Sequence, residues 1–327
     1  MTKRDRVVLA RILRARKKAH GRMDRAEDEW TKRLELVFGS YVRDRDTVIG
    51  RAIDSLALNA DGSIAEGPEN EAAVADMINA LEAEAQRSFA PGGAFDEAAI
   101  PAGAKAGRIA LRRFGDTIAA ADEPLDPNQF KLTRGQRKRI RVHLDQVRFE
   151  IHSLEDANLG KIRDAFMRNI ANPQASRDML RGDLARLGHG DVLRPTLDSA
   201  GRRLTVSERA DRIVRYEFPR LTRDIEEQGI VDRYYDGDPP PLDQQFRLWQ
   251  ATRDDRVQPE HLDRHGLVLS IAEWNRRDFG DGRFGLPPLR PRCRCDVIFV
   301  VPEWFSPEVR TRMFSDETDD RMILQAA

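Results

Sequence analysis

Cysteine is nearly missing from this chain: 327 residues hold two, Cys293 and Cys295, one residue apart. A pair so spaced builds no disulfide framework, and closing so small a ring would strain the bond. No apolar run approaches the roughly 20 residues that a membrane-spanning helix needs. The basic start, Met-Thr-Lys-Arg-Asp-Arg, is followed by no adequate signal-peptide core, so the expected place of action is the cytoplasm or something assembled there. A net charge is also missing, since 55 Lys+Arg balance 55 Asp+Glu, and overall charge therefore selects no partner. No His-Glu-x-x-His, glycine-rich phosphate loop or nucleophile-elbow serine occurs, so the common signatures of zinc hydrolases, nucleotide binders and serine hydrolases are lacking.

What the chain has is charge and helix-forming residues. Charged residues make up 34%, above the usual quarter, while the 40% that are hydrophobic suffice for buried cores. The charges come in blocks. Residues 1–50 hold 14 basic and 8 acidic side chains, residues 51–100 hold 2 and 10, and residues 101–150 hold 11 and 6. Such blocks suit surfaces that meet charged partners, and equally suit solvated helix faces.

Periodicity predicts a long first helix, with Val8, Ile12, Ala15, Ala19, Met23, Ala26, Trp30, Leu34 and Val37 at steps of three and four. Gly39-Ser40 is expected to break it before a second stretch bearing Val48, Ala52, Ile53 and Leu56. Residues 59–70 read as a loop. Helical spacing returns at 74–85, stopping near Pro91-Gly92-Gly93, and again at about 102–120. Asp122–Pro127 reads as a linker and a domain boundary. Thr133 is placed to cap a helix carrying Ile140, Leu144, Val147, Ile151 and Leu154, with Gly160 a candidate interruption and Pro173 its stop. Ser176 caps a next helix, which Gly188 ends. Ser207 starts another, which Pro219 should kink or split and Gly229 should end. Val231–Tyr235, Phe246–Ala251 and Asp296–Val301 have strand-like content, with a turn at Asp236–Pro241, and a short helix is expected at 306–314. The expected class is α+β: a predominantly helical N-terminal and central part, then a small antiparallel or mixed sheet.

The informative region is 246–301. It reads Phe246-Arg-Leu-Trp249-Gln-Ala-Thr-Arg253-Asp254-Asp255-Arg256, then His261-Leu-Asp263-Arg-His265-Gly266, then Pro287-Pro288-Leu-Arg290-Pro-Arg-Cys293-Arg294-Cys295, leading into the last strand. Upstream lies Arg215-Tyr216-Glu217 on a helix. In this order the pieces resemble the Mu F-like minor head proteins of tailed bacteriophages. That family shows an Arg-Thr-Glu on a helix, a Trp-x-Ala-x-x-Asp-x-Arg strand, a His followed by Gly, and Pro-Pro-x-His-Pro-x-Cys-Arg-Cys. Tyr216 stands where Thr is usual, and Arg290 where His is usual. The resemblance covers roughly residues 150–301 and leaves the first ~130 without a motif; with the linker at 122–127, the expected division is a helical partner-docking region at 1–127, a head-morphogenesis module at 128–302 and an acidic tail at 303–327. The resemblance implies a low-copy virion protein of the head interior or portal vertex. Such a protein assembles in the host cytoplasm, contacts portal protein and, as further candidates, major capsid or scaffolding protein, and acts in head assembly and genome packaging or delivery, with no membrane contact in the head.

Read by chemistry alone, His261, His265, Cys293 and Cys295 form the two-nitrogen, two-sulfur donor set of a structural zinc site. The alternative is that the two cysteines are small buried residues at a strand start and His261 holds its loop, with no cofactor bound. Arg215 and Glu217, two apart on a helix, point to different sides, and each is a candidate partner for the Asp254-Asp255-Arg256 loop. Trp249 is expected in the core, and the prolines at 287, 288 and 291 force an extended approach to the last strand. Arg134, Arg137, Lys138, Arg139 and Arg141, like the cluster of Lys and Arg before Ala19, suit DNA phosphates, an acidic protein rim or solvent. Three function classes follow: a structural virion protein, a metal-dependent hydrolase or ADP-ribosyltransferase-like enzyme, and a sequence-independent DNA-binding protein. The ordered motifs favour the first.

Overall fold

The apolar stripe of the N-terminal segment is buried at Val8, Ile12, Ala19, Met23, Ala26, Trp30 and Leu34, and it folds as the start of helix α1, Lys3–Ser55. The structure, a computed structural model, describes residues 2–121, 131–187, 205–251, 264–276 and 295–313. Among these follow α2 (Pro68–Phe89), α3 (Ala94–Ala120), α4 (Arg134–Ile170), α5 (Arg177–Leu187), α6 (Val206–Tyr234), β1 (Phe246–Gln250), β2 (Val268–Ser270), α7 (Ile271–Arg276), β3 (Asp296–Val300) and α8 (Pro307–Met313). The chain is thus mostly helical with one small sheet, the α+β class expected. No described helix is long and apolar enough to cross a membrane.

Several expected breaks are absent. Helix α1 continues through Gly39-Ser40, α4 through Gly160, and α6 through both Pro219 and Gly229. A glycine stops a helix by entering the left-handed region, and the glycines that do so here are Gly62, Gly67, Gly92, Gly237 and Gly266. Around Gly39 the burial of Phe38, Tyr41, Ala52 and Ile53 outweighs the roughly 1 kcal/mol that a helical glycine costs. Gly229 is small for a packing reason: a side chain there would meet the Phe114 ring and Gln136 Nε2 at 3.4 Å. Pro219 is flanked by buried Phe218, Leu221, Thr222 and Ile225, which hold the helix together across it. Val231–Tyr235, expected as a strand, is instead the end of α6, whose buried stripe extends to Ile230 and Val231. The chain leaves that helix at Asp236 and Gly237, both at positive φ, with Gly237 N–H donating to Val231 C=O at 3.2 Å. The starts behave as side-chain chemistry dictates. Thr133 and Gln136 cap each other reciprocally at 2.9 and 3.1 Å, and Ser176 Oγ accepts from Met179 N–H at 3.2 Å. Helix α6 is capped by Thr205 and Glu208, two residues before the expected Ser207.

Packing divides the chain into two units. One comprises Glu29–Pro101 and Leu144–Asp211. Its core joins Ala52, Ile53, Leu56, Val74, Met77 and Leu81 to Leu159, Ile162, Phe166, Ile170 and Leu180. Tyr41 packs edge-on against Phe89 at 5.0 Å and donates its hydroxyl to Glu155. Asn70 holds the loop before α2, accepting from Ala57 N–H at 2.7 Å and donating to Ala65 C=O at 2.6 Å.

The other unit comprises Met1–Asp28, Ala102–His143 and Arg212–Ala327. It contains the antiparallel sheet, in the order β2-β1-β3, with Leu248 opposite both Val268 and Ile298. Phe246, Leu248, Val268, Ile298 and Val300 pack with Val8, Leu9 and Ile12 of α1, Phe114 and Ile118 of α3, and Ile230 of α6. The alternate positions Trp249, Leu269 and Val297 pack with Trp274 and Cys295. Period-2 alternation therefore gives this sheet two apolar faces, which is why its strands read as apolar runs. Asp5 fastens the start of α1 beside α8, accepting from Ser306 N–H at 2.8 Å and Ser306 Oγ–H at 2.9 Å.

Candidate functional site

Of the motif residues singled out by sequence, six lie among the described residues: Arg215, Glu217, Trp249, His265, Gly266 and Cys295. Asp254, Arg256, His261, Pro287, Pro288, Cys293 and Arg294 lie outside them, as do the Asp122–Pro127 linker and Gly188. The described ones on the sheet form a single structure. Trp249 is fully buried on β1, with the Trp274 ring 5.3 Å away and the Arg264 guanidinium 5.2 Å from its centroid. Gly266, at φ 83°, makes the turn into β2 and donates to Trp249 C=O at 2.9 Å. A side chain at that φ would be strained, which accounts for glycine following the histidine. Cys295 is buried at the entry to β3, in the same apolar cluster as Trp249. His265 Nδ1 accepts from Ala251 N–H at 3.1 Å, fixing the proton of the neutral ring on Nε2. A bond from His265 to zinc would have to be exchanged for that arrangement. Among the described residues no group of three or more His, Cys, Asp and Glu is placed to hold a metal.

Arg215 and Glu217 do point to different sides. Arg215 reaches Glu27 and Asp28 of α1 at 3.4 and 3.3 Å, whereas Glu217 meets His143 of α4 at 3.0 Å and Arg220 at 3.5 Å. The loop expected to pair with them lies outside the described residues.

Sequence reading missed a buried charge quartet next to the sheet. Glu226 of α6 accepts from Arg16 of α1 at 2.7 Å and lies 3.0 Å from Arg113 Nε of α3; Arg113 also pairs with Asp296 at the start of β3. Two cations and two anions cancel, so the cluster is buried without a net charge. Burial pushes the Glu226 carboxyl up, against the pull of Arg113 and Arg16. Burial would lower the Arg113 guanidinium, but Asp296 and Glu226 hold it above its ordinary value. Nearby, burial lowers the Arg247 guanidinium despite Glu227 at 3.1 Å, and its charge sits 3.8 Å from the centre of the Phe299 ring. These groups join helices to sheet.

The first turns of α4 are arranged differently. Lys131, Arg134, Arg137, Lys138, Arg139 and Arg141 are all exposed, and no acidic residue occurs between Lys131 and His143. At about 100° per residue, Arg134, Lys138 and Arg141 line the centre of the solvent face, with Arg137 and Arg139 on its flanks. The inward side is fixed: Gln136 donates to Ile225 C=O at 3.3 Å, and Ile140 packs where a side chain on Gly107 would clash at 3.1 Å. Four like-charged pairs stand three or four apart (134/137, 134/138, 137/141 and 138/141), each unfavourable by about 0.2–0.5 kcal/mol. The helix dipole adds to this, since the first turn holds no acidic residue to complement its positive end.

No family model, no curated protein and no solved structure matches the chain.

Proposed function

We propose that this chain is a minor head protein of a tailed bacteriophage, held at the portal vertex or head interior, with the portal protein as its principal partner. The observation that carries the reading is the order of four separated motifs between Arg215 and Cys295, which resembles the Mu F-like pattern. Their described members lend support, because Trp249, Gly266 and Cys295 meet on one sheet, as parts of one module should. The role is architectural: buried tryptophans, a glycine turn and neutralised charges hold a small sheet against helices, whose outer faces are then available to partners. The enzymatic alternatives would rest on Asp254, Asp255, His261 and Asp263, without a nucleophile elbow, phosphate loop or metalloprotease helix to accompany them.

The test is mass spectrometry and cryo-electron microscopy of procapsids and mature particles of the phage that encodes the chain, with co-sedimentation of purified protein and portal rings. Density at the portal or inner shell, and co-sedimentation with the rings, is the expected result. Absence from both particle types overturns the reading.

A further inference from the structure

We infer that the exposed basic face of α4 is a binding surface for the phosphate backbone of double-stranded DNA, gripping it without reading its sequence. Four other arginines of the same unit are engaged: Arg16 and Arg113 by Glu226, Arg215 by Glu27, and Arg247 by Glu227. Arg134, Arg137, Lys138, Arg139 and Arg141 show no such carboxylate partners among the described residues, and the first two sit in the opening turn of α4, where positive charge is least favourable. Local preference is broken at four positions together, Arg134, Arg137, Lys138 and Arg141, while the inward side of the same turns is capped and packed. A local conflict on a locally ordered helix marks a surface shaped by a ligand, and here that ligand must be a polyanion.

The dimensions select the polyanion. From Arg134 to Arg141 the helix rises about 10 Å, which matches about three phosphates along one strand of a duplex. Lys131 and Arg139 widen the positive field on either side. Single-stranded nucleic acid is captured by aromatic stacking platforms, and residues 131–142 contain no aromatic residue. A protein dock would centre on a desolvated apolar patch, whereas between Lys131 and His143 the one large exposed hydrophobic is Val142, set among charges. Gln136, the one amide able to read adenine in this stretch, is buried against Thr133 and Ile225. The contacts are therefore to phosphate.

The experiment is fluorescence anisotropy of two unrelated, labelled 30-base-pair DNA duplexes titrated with the purified full chain between 50 and 300 mM salt (about sixfold in ionic strength, enough to resolve the slope). Both duplexes are expected to bind with affinities within about twofold of each other, falling steeply with salt. The variant Arg134→Gln/Arg137→Gln/Lys138→Gln/Arg141→Gln is expected to bind at least about tenfold more weakly, with the slope of log K against log salt reduced by about 3. Its thermal midpoint should equal or exceed the parent's, because like-charge repulsion has been removed, so weaker binding is not a loss of fold. The inference is overturned by no binding of the parent at low salt, by an unchanged slope in the variant, or by capture of poly-glutamate in preference to duplex, which would make the face an acidic-protein dock.

Discussion

Glu226 is the residue on which the most depends. Its carboxylate lies between two buried guanidinium groups, so Glu226→Ala leaves Arg16 and Arg113 facing each other without their shared counter-ion. Breaking a buried pair in this way costs about 3–5 kcal/mol, and urea denaturation of the variant is expected to show a loss of that size. Asp5 gives the corresponding pH dependence. Burial would raise its pKa, but hydrogen bonds from Thr2 and Ser306 outweigh this and hold it below the ordinary value. A depressed carboxylate stabilises the fold above its unfolded pKa, and the contribution disappears as pH falls through the lower, folded value. Stability should therefore decline on acidification below about pH 4, and Asp5→Asn should flatten that part of the curve in a chemical-denaturation series from pH 7 to pH 3.

Elements follow rules that the sequence partly displays. The stripes of α1, α2 and α4, the caps at Thr133 and Ser176, and the strands at 246 and 296 are all visible as spacing and side-chain chemistry. The helix interruptions were misjudged because a glycine's effect depends on its backbone angle and neighbours, which no single chain position reveals. Gly39 and Gly160 have open space around them, and replacing either by Ala should stabilise the protein by about 0.5–1 kcal/mol in thermal melts. Gly229 lies at the limit of contact with Phe114, so Gly229→Leu should overpack it and cost about 1–3 kcal/mol. Strand β2 escaped notice because three residues carry too little pattern, and the end of α6 because Val231–Tyr235 is branched and aromatic yet continues a helical stripe. The charge quartet had a signal that went unread: Arg16, Arg113 and Glu226 each occupy the inward phase of their helices, beside Ile12, Ala110 and Thr222. Of the candidate motif site, the positions of Trp249, Gly266 and Cys295 were legible, while the pairing of Arg215 with α1 required the fold.

At the scale of the whole molecule, the order of the segments matters as much as their packing. The unit made of Glu29–Pro101 and Leu144–Asp211 lies wholly between the first and last segments of the other. Limited proteolysis or hydrogen exchange is accordingly expected to show two protection levels rather than one, each tracking residues distant in sequence. A single uniform opening across both units would contradict that expectation.

The bond between Asp5 and Ser306 joins residues 301 positions apart. On a ribosome, the start of α1 emerges 301 residues ahead of the partner that fastens it. At about 5–20 residues per second, the beginning of α1 waits on the order of tens of seconds with its Val8-Leu9-Ile12 stripe uncovered, while the nested unit has already received all of its chain. A newborn molecule therefore passes through an interval in which α1 is made but unfinished, and chaperone occupancy during synthesis should be concentrated there.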